Sequence, residues 1–160
     1  MIRAIFDTNV FLRALINPHS RCGRLLDEFA GDYELVLSPA IMREVLEVLH
    51  RPRLRAKLPQ ITQLDIVHII VLFEQAVVVE PREVPPVSRD PDDDKFLACA
   101  EMAGAEYLVT EDRDLLVLEV HAGCRICQPA EFMELLLARR AQAEADGLTP
   151  GRKSDTLPMR

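Results

Sequence analysis

The stretch Glu34-Leu-Val-Leu-Ser38-Pro39-Ala-Ile-Met-Arg-Glu44-Val-Leu-Glu-Val-Leu-His50 decides the fold class. Its first part is a short β-prone run that ends in Ser38-Pro39. That pair is a hydroxyl suited to cap a helix, then the residue whose missing N–H costs nothing in a first helical turn. Beyond it, Ile41, Met42, Val45, Leu46, Val48 and Leu49 recur with helical period, which predicts a helix to about His50. The strand-then-helix unit repeats on both sides. Residues 1–6, 76–80, 105–110 and 124–127 are further short apolar runs. Leu25, Leu26 and Phe29 have helical spacing, and Thr62 with Asp65 makes a capping-box pattern ahead of Ile66, Ile69, Ile70 and Phe73. Asp90-Pro91 opens a helix that Gly104 stops, and Pro129 starts a last one through Leu137. Strands alternating with helices predict an α/β domain with a mostly parallel sheet. The run Ala76-Val-Val-Val-Glu80 is apolar on both faces, as a buried parallel strand would be. Segment 81–89, with Pro81, Pro85 and Pro86, is a loop inside the domain.

A chain of 160 residues suits one domain with a short addition, here a polar, mobile C-terminal extension at 139–160. With 49% of its residues apolar, the chain can fill a core. No apolar run is long enough for a membrane span and the N-terminus lacks the shape of a signal peptide, so the expectation is a soluble, cytoplasmic protein without a membrane partner. Of the cysteines Cys22, Cys99, Cys124 and Cys127, only the last two are spaced like a metal or redox pair. The histidines His19, His50, His68 and His121 supply no second ligand pair, so all four cysteines read as reduced core thiols.

The 26 Asp and Glu outnumber the 19 Lys and Arg, for a net charge of −7. That excludes a protein that binds nucleic acid by coating phosphates. The acids are unevenly spread: nine fall within residues 90–114, against only Lys95 and Arg113. In open parallel sheets, ligands bind beyond the carboxyl ends of the strands. Asp7 follows the first strand in Phe6-Asp7-Thr8-Asn9, and Thr110-Glu111-Asp112-Arg113-Asp114 follows the fourth, so both clusters belong on one rim. Taken alone, each Asp reads as an ordinary cap of a helix or turn. On the helix after Asp90, Phe96, Leu97, Ala100 and Ala103 form the buried face; Asp93 falls within that stripe, Asp92 at its edge, and Asp94 points away. On the helix after Ser38, Glu44 lies at the border of the apolar stripe and Glu47 opposite it. Asp7, Glu44, Asp93 and one of Asp112 and Asp114 therefore converge at one end of the sheet. Carboxylates this close raise one another's pKa, which a divalent cation relieves. Oxygen-only ligands favour Mg2+ or Mn2+ over zinc, and such sites commonly serve phosphate-ester hydrolysis.

Together, Phe6-Asp7-Thr8-Asn9, Glu44, Arg89-Asp90-Pro91-Asp92-Asp93-Asp94-Lys95-Phe96-Leu97-Ala98 and Val109-Thr110-Glu111-Asp112-Arg113-Asp114-Leu115-Leu116 resemble the PIN-domain nuclease family. The resemblance is to VapC-like toxins of toxin–antitoxin pairs in particular, and it covers residues 1–138. It implies a PIN-like three-layer α/β/α domain with a five-stranded, mostly parallel sheet. It further implies a metal-dependent endoribonuclease that cleaves single-stranded RNA, leaving 5′-phosphate and 3′-hydroxyl ends. Asp7, Glu44, Asp93 and Asp112 match the family's catalytic acids, with Asp7, Asp93 and Asp112 holding Mg2+ or Mn2+. Asn9 and Thr110 match supporting polar positions, and Asp114 stands beside them as an alternative or supporting acid. A small antitoxin and a second copy of the chain are the partners implied. Two positions depart from the pattern: relatives often have Gly at Glu111 and Asn at Asp94.

For RNA contact, the densest basic run is Arg51-Pro-Arg53-Leu-Arg55-Ala-Lys57, which reads either as a phosphate track through Arg51, Arg53 and Arg55 or as a solvated turn. Arg21 and Arg24 are candidate additions. The absence of Trp and the few Phe and Tyr argue against a base-stacking platform. A phosphoaspartyl phosphatase or receiver-like protein fits less well. The phosphatases want a second Asp where Asn9 stands, and a receiver wants a Lys soon after Thr110, where residues 111–118 offer none. The non-enzymatic alternative is a PIN-like module retained for binding.

Overall fold

Strand β1 (Ile2–Phe6) lies inside a six-stranded sheet in the computed structural model, which describes residues 1–147. The other strands are β2 (Tyr33–Leu37), β3 (Val77–Val78), β4 (Tyr107–Val109), β5 (Val120–His121) and β6 (Cys124–Cys127). Their order across the sheet is β3-β2-β1-β4-β6-β5, and every pairing is parallel except β5 with β6. The helices are α1 (Thr8–Ile16), α2 (Arg21–Leu26), α3 (Pro39–Leu49), α4 (Pro52–Lys57), α5 (Gln63–Gln75), α6 (Asp94–Ala103), α7 (Arg113–Leu116) and α8 (Pro129–Ala145). A single 3-10 turn, Pro91–Asp93, precedes α6.

The register explains the layers. Ile2 pairs with Tyr33 and Ala4 with Tyr107, so Phe6, Tyr33 and Tyr107 share one face of the sheet. There they pack around Phe132 of α8, with ring centroids 5.2–6.0 Å apart. Helices α1 and α2 lie on the same side as α8. On the opposite face Ile5, Val36 and Leu108 are fully buried, and α6 packs over β1, β2 and α3. Arg3, also on this face, donates to the carbonyl of Ala103 at the end of α6. Helices therefore flank the sheet on both faces, as the alternation of elements predicts. The expected helix starts also hold: Ser38 accepts from the Ile41 N–H, and Thr62 and Asp65 cap each other reciprocally. Gly104, at φ +60°, stops α6 in the left-handed conformation that favours glycine.

Several details differ from expectation. The sheet has six strands, not five, because Ala122 and Gly123 both take positive φ and turn the chain in a two-residue hairpin that adds β5. The run at 76–80 is not a buried strand: only Val77–Val78 pair, at the sheet edge, and Val78 is 49% exposed. Of the α5 stripe, Ile66, Ile69 and Phe73 are buried, whereas Ile70 is turned outward beside Leu64, Val67 and Val71. Helix α8 passes Leu137 and runs to Ala145. Arg140 anchors that stretch through Asp32 at 2.6 Å, the Glu28 carbonyl at 3.0 Å and the face of Phe29 at 4.1 Å. Residues 139–145 are thus helix, and the rest of the expected extension, from 148 on, lies outside the described residues. Among the described residues no helix is long and apolar enough to cross a membrane.

Candidate active site

The acidic rim is assembled by caps. Asp7 ends β1 and caps α1, its Oδ1 accepting the Asn9 N–H at 2.9 Å. Its Oδ2 accepts the Thr110 hydroxyl at 2.5 Å. Thr110 is fully buried just beyond β4, and the same hydroxyl oxygen accepts the Asp112 N–H at 2.9 Å. Asp112 in turn caps α7 by accepting the Asp114 N–H at 2.9 Å. A single chain of hydrogen bonds therefore ties the end of β1 to the end of β4 and fixes two carboxyl groups on adjacent strands. The same side chains thus cap helices and stand together on the rim, two readings that the sequence sets as alternatives.

Asp93 completes the group. It is 8% exposed, and its Oδ2 is buried with no hydrogen-bond donor. Burial, then the adjoining Asp112 carboxyl and the charges of Asp90 and Asp7, pushes its pKa up to about 8. Asp7 also lies above the usual carboxylate range, chiefly through burial, with Thr110 and Asn9 pulling the other way and Asp112 and Glu44 adding repulsion. Asp90, Asp93 and Asp114 each bring one carboxylate oxygen to within 4.8 Å of the others. Asp93 is thus the member common to this trio and to the sequence-derived set of Asp7, Asp93 and Asp112. A buried oxygen without a partner, set among acids that repel one another, is relieved by a proton or by a cation, and the all-oxygen donors suit a hard divalent ion.

Glu44 reaches this rim from α3. Its Oε1 meets the Lys95 ammonium at 2.5 Å and its Oε2 accepts the Thr8 hydroxyl. In the sequence Lys95 reads only as one of two bases, with Arg113, in an acidic stretch, and nothing in its spacing points to Glu44. Asp94, expected to point away into solvent, is instead 4% exposed. The loop 81–89 folds across the start of α6, and Asp94 Oδ1 accepts the N–H groups of Val87 at 3.1 Å and Ser88 at 2.7 Å. No helical pattern shows that the preceding loop folds back over that face. Asn9 supports the site through its backbone while its side chain is exposed. Asp114 also faces Arg89, at 3.0 Å.

Beside the acids opens a cleft of about 770 Å³ between α1, α2 and the start of α8, reaching Asn9 and Asp112. Its basic residues are Arg13 and Arg21. The run expected to hold phosphates lies elsewhere: Arg51 precedes α4, and Arg53 and Arg55 are exposed on that helix. The Arg55 guanidinium faces the Gln63 amide, 2.7 and 3.0 Å away. Arg24 is paired with Glu28 at 2.8 Å. The cysteines are buried and unbonded, with burial pushing Cys22 up to about 11 and the other three to about 12, which leaves them protonated core thiols.

Uncharacterized protein MJ1680 of Methanocaldococcus jannaschii is 35% identical over 145 residues, covering 83% of this chain and 90% of that protein. The fold is similar to a chain in the crystal structure of VapBC2 from Rickettsia felis bound to a DNA fragment from their promoter, with a TM-score of 0.53, 11% identity, and 79% of this chain and 98% of that one covered. That last likeness is one of fold. Residues 3–114 match the PIN domain, a span that holds Asp7, Glu44, Asp93 and the Thr110–Asp114 corner, and the chain belongs to the PIN-domain family.

Proposed function

We propose that this protein is a Mg2+- or Mn2+-dependent endoribonuclease that cuts single-stranded RNA and acts as the toxin of a toxin–antitoxin pair. The observation that carries the reading is the orphaned, buried Asp93 Oδ2 among the carboxyl groups of Asp7, Asp112 and Asp90 at the carboxyl end of a parallel sheet. Asp7, Asp93 and Asp112 would hold the cation, and Asp90 and Asp114 each bring a carboxylate oxygen close to that of Asp93. Bound there, a divalent ion supplies the acidity that makes water a nucleophile near neutral pH and the charge that steadies a leaving oxygen. The protein's own part is to hold that geometry. Thr110 and the Asn9 N–H each hold one oxygen of Asp7, which fixes the orientation of its carboxyl. Lys95 and Thr8 fix Glu44 in the same way and keep its charge at the rim next to Asp7.

A cation also answers the charge problem, since it lets an anionic rim meet an anionic phosphodiester. The exposed Arg51, Arg53 and Arg55 offer an outer basic surface, and reversing Arg53 and Arg55 should flatten the salt dependence of RNA binding. The fold likeness to VapBC2 supports a small antitoxin as partner. The outward Leu64, Val67, Ile70 and Val71 of α5 support a second copy, which sedimentation would read as a dimer. Calorimetric titration of the metal-free protein with Mn2+ tests the site: saturable binding is expected, with protons released as Asp93 ionises. Absence of binding would leave a PIN-like binding module.

A further inference from the structure

The geometry points to the α1–α2 cleft as the track for the RNA strand next to the acidic rim, with Arg21 as a standing phosphate contact and Arg13 as one that Glu111 withholds until RNA displaces it. This inference rests on the ribonuclease reading above. Its first support is continuity: one cleft is lined by Asn9 and Asp112 of the acidic rim and by Arg13 and Arg21 farther along. The second is chemistry. Away from Glu111 and Asp112 at the rim end, the cleft's other polar side chains include the neutral Asn17, Ser20 and Gln128, which can donate to or accept from a sugar–phosphate chain. The walls offer no aromatic ring for base stacking, so contact would be with the backbone.

The third support is how the two arginines are engaged. Among the described residues Arg21 has no ion-pair partner, whereas Arg13 Nε lies 2.8 Å from Glu111 Oε2. That pair is well exposed, with side-chain exposures of 61% and 37%, so a phosphate can compete for the guanidinium at little cost. Glu111 sits between Thr110 and Asp112, so its charge stands where the strand must pass to reach the rim. It therefore acts as a competitor built into the track. A phosphate that takes Arg13 leaves Glu111 unpaired and repelled. The track is correspondingly weakened for short or weakly bound strands.

The test is steady-state cleavage of fluorescein-labelled single-stranded RNAs of two unrelated sequences by the full chain in Mg2+. Arg21→Glu should raise KM about five- to tenfold on both sequences with kcat within about twofold, since an exposed phosphate contact serves binding and carries no sequence information. Glu111→Gln should act in the opposite sense and lower KM. In an Arg13→Gln background that gain should shrink to the part that lost repulsion alone supplies, because Glu111 then has no guanidinium to withhold. Melting temperatures within about 2 °C of the parent show that the variants fold. Unchanged KM for Arg21→Glu, or a Glu111→Gln gain that is as large without Arg13 as with it, overturns the track. If the parent chain cuts neither RNA, the ribonuclease reading fails instead.

Discussion

Replacing Asp93 by Asn should abolish RNA cleavage and, at the same time, stabilise the metal-free protein at pH 8. Asp93 is buried, one of its oxygens has no donor, and burial with the neighbouring acids raises its pKa from 3.8 to about 8. The unfolded chain loses this proton near pH 4 and the folded protein keeps it. Between those values the folded state holds the extra proton, so stability falls as pH rises and levels off above about pH 8. Asn carries no such liability. The variant and parent should melt together near pH 4, and at pH 8 the variant should be more stable by about 1–2 kcal/mol, or about 2–8 °C for a chain of this size. Mn2+ should raise the melting temperature of the parent and leave that of Asp93→Asn unmoved. A gap between the two proteins that stays constant from pH 4 to pH 8 would mean that Asp93 is not held in strain by its neighbours.

Gly23→Ala should be the most damaging small substitution outside the acids. Gly23 lies in α2 against the corner that follows α1, where an added Cβ would stand 2.2 Å from the Pro18 carbonyl oxygen and 2.5 Å from its carbon. Both are backbone atoms, so no side-chain rotation relieves the clash and α2 must move. Ser20, whose hydroxyl accepts the Gly23 N–H at 3.1 Å, would lose its cap as the helix shifts. The expected cost is about 3 kcal/mol, a fall of about 6–12 °C in the melting temperature. Because α2 forms one wall of the cleft beside Asp112, RNA cleavage should fall with it. A melting curve that superimposes on the parent would show that the close approach is not rigid.

What the chain reveals before it folds depends on the range of the interaction involved. Ser38, Thr62, Asp90 and Gly104 act within a few residues of themselves, and each does the capping or stopping that its local pattern predicts. The placement of Asp93 on the inward stripe of its helix is equally local, and the structure buries it. Asp94 differs although its partners are only six and seven residues away: they are N–H groups of a proline-rich loop without periodicity, whose path no pattern gives. Lys95 and Thr8 meet at Glu44 from different elements, and neither spacing nor composition announces that. The basic run at 51–57 is conspicuous because its charges are contiguous, while Arg13 and Arg21 are brought to the cleft from separate helices. The hairpin that adds β5 depends on Ala122 taking a positive φ, which its side chain gives no reason to expect.

The most direct measurement is cleavage of end-labelled single-stranded RNA by the parent protein and by Asp7→Asn, in Mg2+ or Mn2+ and again with the cation chelated. Asp7 is held through backbone and Thr110 contacts that Asn can largely preserve, so the variant should fold. The account predicts cleavage by the parent only with the cation, and a loss of about a thousandfold in Asp7→Asn. Cleavage that survives chelation, or an Asp7→Asn protein as active as the parent, would contradict it.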